Sequence, residues 1–105
     1  MTERIELLRQ MMIEDPKDPF LPYALALEHM GTQNFVDATA ALGVLIEKHP
    51  KYLPTYYQLG KCFEEQDMID EAIEILKKGE VLANDQKDQK ALGEIREAIW
   101  FLADD

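Results

Sequence analysis

Helix-breaking residues recur at a fixed interval along this chain of 105 residues. The interval from Pro16 to Pro50 is the same as the interval from Pro50 to the polar break at Asn84. Proline ends one helix and is accepted in the first turn of the next, so each proline break separates two helices. A fixed period of this kind indicates an internal repeat, and it restricts the chain to folds that stack equal units.

Between these breaks the apolar residues recur every three or four positions, which is the spacing of an amphipathic helix. Ile5, Leu8 and Met12 show this spacing near the start of the chain, and no segment alternates in the manner of a β-strand. We therefore predict an all-α protein of about six helices. They are predicted, to within two residues at each end, at residues 2–14, 19–31, 35–48, 54–66, 69–83 and 87–103. Because every connection is short, sequential helices should pack as antiparallel neighbours.

The two 34-residue segments 19–52 and 53–86 share residues when one is placed over the other. The identities are Tyr23 with Tyr57, Leu25 with Leu59, Ala38 with Ala72 and Leu42 with Leu76. Residues 53–86 resemble a tetratricopeptide repeat, since they carry that family's small and bulky residues in order. These residues are Tyr56, Leu59, Gly60, Phe63, Ala72 and Leu76. Residues 19–52 resemble the same repeat through Leu25-Ala26, Ala38, Leu42 and Pro50.

The resemblance implies a single domain, residues 1–105, built as an antiparallel helical-hairpin array with the right-handed superhelix of tetratricopeptide proteins. Residues 1–18 would form a half-repeat cap, 19–52 the first repeat, 53–86 the second and 87–105 a C-terminal capping helix. Small residues such as Gly60 should let two helices approach closely, and bulky residues such as Leu76 should fill the space beside them.

The resemblance also implies a binding surface, because the first helix of each repeat lines the concave side of such an array. The residues expected there are Phe20, Tyr23, Leu27, Met30, Tyr57, Lys61 and Glu64. A peptide or protein segment is the expected ligand, and the alternative is that these rings pack under the C-terminal helix. Family members that bind acidic chaperone C-termini use a Lys, Arg and Asn clamp. That ligand is disfavoured, because the matching positions hold Tyr23, Leu27, Tyr57 and Lys61.

The charge of the chain disfavours polyanionic partners. Its net charge of −10 would repel nucleic acid and anionic membrane surfaces. Residues 64–74 contain six carboxylates and no basic residue. This run either steers a basic protein partner to the surface or forms a solvated corner between two helices.

No motif for catalysis is present in the sequence. The chain has two histidines and one cysteine, Cys62, and lacks a glycine-rich phosphate loop, a paired-histidine metal motif and a nucleophile elbow. We predict that it is not an enzyme and has no catalytic residue, cofactor or metal. The charged start of the chain, the absence of a long apolar run and the single cysteine favour a cytoplasmic location.

Self-association through the terminal helices is the alternative function. Leu92, Ile95, Ile99 and Leu102 form one apolar stripe on the predicted last helix. Phe101 would point nearly opposite this stripe and Trp100 would flank it. A homodimer that continues the stack or exchanges a terminal helix would bury both rings.

Overall fold

The computed structural model describes residues 2–103 and places six helices in that range. They are α1 (Thr2–Glu14), α2 (Phe20–Gly31), α3 (Phe35–Lys48), α4 (Pro54–Glu65), α5 (Ile69–Asp85) and α6 (Gln89–Ala103). No strand occurs among the described residues. The predicted all-α class of helical hairpins is therefore confirmed.

The chain folds as two compact units that divide between Tyr52 and Leu53. In the first unit α2 packs against both α1 and α3. In the second unit α5 packs against both α4 and α6. Each unit is thus a set of three helices in which sequential neighbours touch.

Five-residue turns containing proline separate α1 from α2 and α3 from α4, at residues 15–19 and 49–53. They occur at the same place in the 34-residue period, as the spacing predicts. The Oδ1 atom of Asp18 accepts the backbone N–H of Phe20 at 2.9 Å, which satisfies one unpaired donor at the start of α2. Pro54 occupies the first turn of α4, where a missing N–H costs no helical hydrogen bond.

Three-residue turns make the other three connections, at residues 32–34, 66–68 and 86–88. The middle residue of each turn has a positive φ: Gln33 has 62°, Asp67 has 62° and Lys87 has 59°. The last residue of each turn donates its N–H to the carbonyl five positions earlier, at 2.8, 2.8 and 3.0 Å. This is the hydrogen bond of a Schellman helix end, which pairs carbonyls that the helix itself leaves free.

The connection between α5 and α6 lies at the limit of the predicted two-residue range. Helix α5 continues to Asp85 instead of ending at residue 83, and α6 begins at Gln89 instead of residue 87. Asn84 stands where the earlier period has Pro50, and asparagine keeps the backbone N–H that a helix requires. The helix therefore runs on until Lys87 adopts the left-handed conformation that ends it.

Close approach of helices shapes the core of the second unit. A Cβ added to Gly60 on α4 would lie 2.7 Å from Cγ of Leu76 on α5. A Cβ added to Gly79 on α5 would lie 2.7 Å from Cβ of Tyr56 on α4. The expected nesting of a small residue against a bulky one is thus confirmed at Gly60 and Leu76. The buried cluster around them comprises Leu53, Leu76, Ala83, Leu92 and Ile95.

Candidate functional site

The groove residues predicted in the first unit lie on α2, and two of them belong to a group of three aromatic rings. The ring of Phe20 lies 6.5 Å from that of Tyr23, and Tyr23 makes an edge contact with Tyr52 at 5.6 Å. Phe20 is 53% exposed and Tyr23 is half-buried. Edge contacts of this kind are favourable and fix the orientation of a ring. Phe20 is therefore the accessible member of the group, and Tyr52 holds Tyr23 in place.

Burial raises the pKa of Tyr52 above its ordinary value of 10.0, and Tyr23 and Asp18 raise it further. The Tyr52 hydroxyl is therefore neutral at physiological pH and available as a hydrogen-bond donor. Leu27 and Met30 follow Tyr23 by four and seven positions on α2, and so share its face of the helix. Leu27 is 37% exposed and Met30 is half-buried.

The groove residues predicted in the second unit line one cleft between α4 and α6. Its volume is about 210 Å³. The cleft is lined by Tyr57, Lys61, Glu64, Glu94, Glu97, Ala98, Phe101 and Leu102. The Nζ atom of Lys61 lies 5.3 Å from the centre of the Tyr57 ring, within cation–π range. One lysine and three glutamates thus share a cleft with two aromatic rings.

The two rings of this cleft differ in exposure. Tyr57 is half-buried and packs against the core cluster of the second unit. Phe101 is 66% exposed. The sequence assigned Phe101 to self-association, whereas the structure brings it together with the groove residues Tyr57, Lys61 and Glu64. Tyr57 therefore both packs against the core cluster and lines the cleft.

Sequence reasoning did not find the α6 side of the cleft, although a signal for it exists. The pair Leu92-Gly93 repeats the pair Leu59-Gly60. It lies one position earlier than the 34-residue period of the two repeats would place it. At that shift Glu94 corresponds to Lys61 and Glu97 to Glu64. The Leu-Gly pair therefore predicts which residues of α6 face the same cleft as α4.

Trp100 lies on another side of α6. Its ring makes an edge contact with Phe101 at 5.1 Å, and the side chain is 61% exposed. It lines a shallow hollow of about 420 Å³ with Arg96, Ile99 and Ala103. Nε of Arg96 is 2.9 Å from Oε2 of Glu80 on α5, which ties α6 to the helix before it. Trp100 and Phe101 are thus adjacent rings that belong to two different surfaces.

The acidic run at residues 64–74 contributes one carboxylate to the cleft, that of Glu64. The other carboxylates of the run are exposed and do not line the cleft. They are Glu65, Asp67, Asp70, Glu71 and Glu74. Most of the run is therefore a solvated surface next to the cleft.

Within residues 2–103, no group of three or more His, Cys, Asp or Glu side chains is arranged to hold a metal ion. In the same range, none of the helices has the length and apolar character needed to cross a membrane. Cys62 is buried in α4. The cleft on the second unit and the ring group on the first unit are the surfaces that hold the predicted groove residues.

Short helical hairpins with a 34-residue period, closely packed at Gly60 and Gly79 in the second unit, define a helical-repeat protein. The family model of the tetratricopeptide repeat matches residues 55–78. A crystal structure of a tetratricopeptide repeat domain protein from Salinibacter ruber is 39% identical, covers 83% of this chain and 98% of that chain, and has a TM-score of 0.79. The chain belongs to the tetratricopeptide repeat family.

Two solution structures are also similar. One, of a tetratricopeptide repeat domain protein from Salinibacter ruber, is 41% identical with a TM-score of 0.79, covering 84% of this chain and 89% of that chain. The other, of a protein from Bordetella parapertussis, is 22% identical with a TM-score of 0.83, covering 94% of this chain and 86% of that chain, and shows the fold. A search of curated proteins finds no match. Membership of this family indicates a protein–protein interaction module.

Proposed function

We propose that this chain is a non-enzymatic protein-interaction module that binds a basic segment of a partner protein in the cleft of its second unit. The observation that carries the proposal is the composition of that cleft. It combines the exposed ring of Phe101 and the ring of Tyr57 with the carboxylates of Glu64, Glu94 and Glu97. A lysine or arginine side chain can bind both to aromatic rings and to carboxylates.

The aromatic walls supply contact area at low entropic cost, because a ring has few rotatable bonds to fix on binding. Packing against the core cluster already restrains Tyr57. Lys61 places its own ammonium group 5.3 Å from the centre of the Tyr57 ring, which supports this ring as a surface for a cation. A cation from a partner would displace Lys61 or lie beside it against Phe101.

The carboxylates add charge complementarity. Three glutamates and one lysine give the cleft a net negative charge, within a chain whose net charge is −10. Such a field accelerates the approach of a basic segment and discriminates against acidic ones. All three glutamates are exposed, so each contributes modestly and the binding should weaken as salt is added.

The α2 surface of the first unit remains part of the proposal as an apolar contact area. Phe20, Tyr23, Leu27 and Met30 lie along this helix, and Phe20 and Leu27 are accessible. Their largely apolar side chains suit uncharged residues of a protein partner.

The proposal is tested by selecting peptides from a random library on the immobilised chain and measuring their affinities by fluorescence anisotropy. We expect the selected peptides to be rich in Lys and Arg. The double substitution Glu94→Gln with Glu97→Gln should weaken binding about three- to tenfold, the effect of losing two partly exposed charge contacts. The matched control is Glu71→Gln with Glu74→Gln, which removes the same charge from α5 outside the cleft and should have little effect.

Phe101→Ala tests the aromatic wall, and it should weaken binding while leaving thermal unfolding almost unchanged, because Phe101 is 66% exposed. Val81→Ala, at a residue 62% exposed on α5, is its control. Tyr57→Ala is a poor probe, since it would also remove packing from the core. Selection of acidic peptides, or equal effects of the cleft and control variants, would refute the proposal.

A further inference from the structure

Helix α6 has a glycine, Gly93, at the position that corresponds to Gly60, where α4 comes close to α5. Leu92-Gly93 repeats Leu59-Gly60, and each of the two leucines is 4% exposed. In α4, a Cβ on Gly60 would lie 2.7 Å from the side chain of Leu76 on α5. At Gly93 an added Cβ would meet no described atom within 4 Å. Helix α6 therefore presents the kind of surface with which α4 holds α5, and no described helix covers it.

Helix α1 shows the opposite situation, because it corresponds to the second helix of a hairpin and no described helix precedes it. Leu8 and Met11 stand one full period before Leu42 and Leu45 of α3, which are 0% and 1% exposed. In α1, by contrast, Leu8 is half-buried and Met11 is 40% exposed. Their neighbour Leu7 is 60% exposed. The side of α1 that corresponds to a buried side of α3 is thus open to solvent.

We infer that copies of this chain associate head to tail, with α1 of one copy packed on the Gly93 side of α6 of another. Leu8 then lies over Gly93 as Leu76 lies over Gly60 within the second unit. The two open helices complete a hairpin of the kind that each copy already contains. This association does not depend on the peptide-binding cleft and goes beyond the proposed function.

The open side of α6 has room for the side chains of α1. Trp100 is 61% exposed there and borders the hollow of about 420 Å³. Leu7 and Met11 are large apolar side chains on the facing side of α1. Removing these three side chains from water together is the driving force of the association.

Charge keeps the association weak. In the register that places Leu8 over Gly93, Arg4 lies near Arg96, and like charges repel. Each arginine is paired within its own copy: Nε of Arg4 lies 3.1 Å from Glu28, and Nε of Arg96 lies 2.9 Å from Glu80. These ion pairs reduce the repulsion without removing it. Arg4→Ala, which restores the small residue found at Ala38, should therefore strengthen the association.

A contact between two different surfaces leaves both ends of a dimer open, so further copies can add. Sedimentation equilibrium should show the average mass rising with concentration above the 12.1 kDa of one chain. Trp100 is the only tryptophan, and its fluorescence should shift to shorter wavelength over the same concentrations as it leaves water. A chain that stays a monomer at its solubility limit would overturn the inference.

Two variants block one end each without disturbing the fold. Gly93→Gln places a large side chain in the open space over α6, and Leu7→Gln makes α1 polar at an exposed position. Both variants should be monomers. Their controls are Gly43→Gln, at another helical glycine with open space, and Ile13→Gln, at a residue 74% exposed on another side of α1. The controls should associate like the unmodified chain.

Mixing the two blocked variants provides the decisive measurement. The Leu7→Gln protein keeps its α6 surface and the Gly93→Gln protein keeps its α1 surface, so the mixture should form a one-to-one complex and nothing larger. A symmetric dimer through α6 alone would persist in the Leu7→Gln protein, and a symmetric dimer through α1 alone would persist in the Gly93→Gln protein. Either result, or a mixture that stays monomeric, would refute the head-to-tail arrangement.

Discussion

Gly79→Ala tests the close packing of α4 on α5. Replacing a glycine inside a helix by alanine normally stabilises the folded state by about 0.5–1 kcal/mol. At Gly79, however, the new Cβ would lie 2.7 Å from Cβ of Tyr56 and 3.3 Å from Cδ1 of Ile95. Cβ of Tyr56 is fixed to its backbone and cannot rotate away, so α4 and α5 must move apart. Overpacking of this kind costs about 1–3 kcal/mol.

The overpacking cost exceeds the gain in helix preference, so Gly79→Ala should lower the free energy of unfolding by about 1 kcal/mol. The midpoint of thermal unfolding should fall by about 4–8 °C. Gly93→Ala is the control, because its Cβ enters open space in the same unit. It should raise the stability by about 0.5–1 kcal/mol. Urea unfolding of both variants, at a concentration where the chain is monomeric, measures the difference between their free energies of unfolding. Both variants gain the same helix preference of alanine over glycine, so this gain cancels in the difference. Equal stabilisation by the two substitutions would refute the close approach at Gly79.

Three further predictions concern single side chains. Oγ1 of Thr55 is buried and has no hydrogen-bond partner among the described atoms. Thr55→Val should therefore raise the free energy of unfolding by about 1 kcal/mol in urea. A loss of stability would indicate that the Thr55 hydroxyl makes a hydrogen bond. Lys87 has a φ of 59°, so Lys87→Gly should raise the thermal midpoint. The control Lys78→Gly, at an exposed position in the middle of α5, should lower it, and the reverse order would contradict the turn geometry. The pKa of Tyr52 is raised, so the folded state keeps its proton at a pH where the unfolded chain has lost it, and stability should fall as the pH rises above about 10. Tyr52→Phe should reduce this fall in unfolding experiments on the alkaline side, and an unchanged slope would mean that Tyr52 does not contribute.

The order and type of the helices could be predicted because local signals mark their ends. Pro16 and Pro50 interrupt the helical spacing at equivalent places, and both five-residue turns form there. The nesting of Gly60 against Leu76 followed from their sizes and positions. It is confirmed by the short distance between them.

The end of α5 was harder to predict, because no proline marks it. The backbone of Lys87 decides where this helix stops, and a lysine gives no sign of a positive φ in the sequence. The pair Leu92-Gly93 lies one position earlier than the 34-residue period would place the counterpart of Leu59-Gly60. Phe101 lines the cleft because α6 lies beside α4. The apolar pattern within α6 alone cannot predict this position of the helix.

The three turns with a positive φ have one backbone geometry but three unrelated sequences. The hydrogen bond that closes each turn runs between main-chain atoms. Side chains of the turns add bonds to the helix ends, such as the one in which Oδ1 of Asn34 accepts the N–H of Asp37. Substitutions that tolerate the positive φ and keep these end contacts should therefore leave the hairpins folded. The solvent-facing chemistry of such loops can vary within these limits while the architecture is retained.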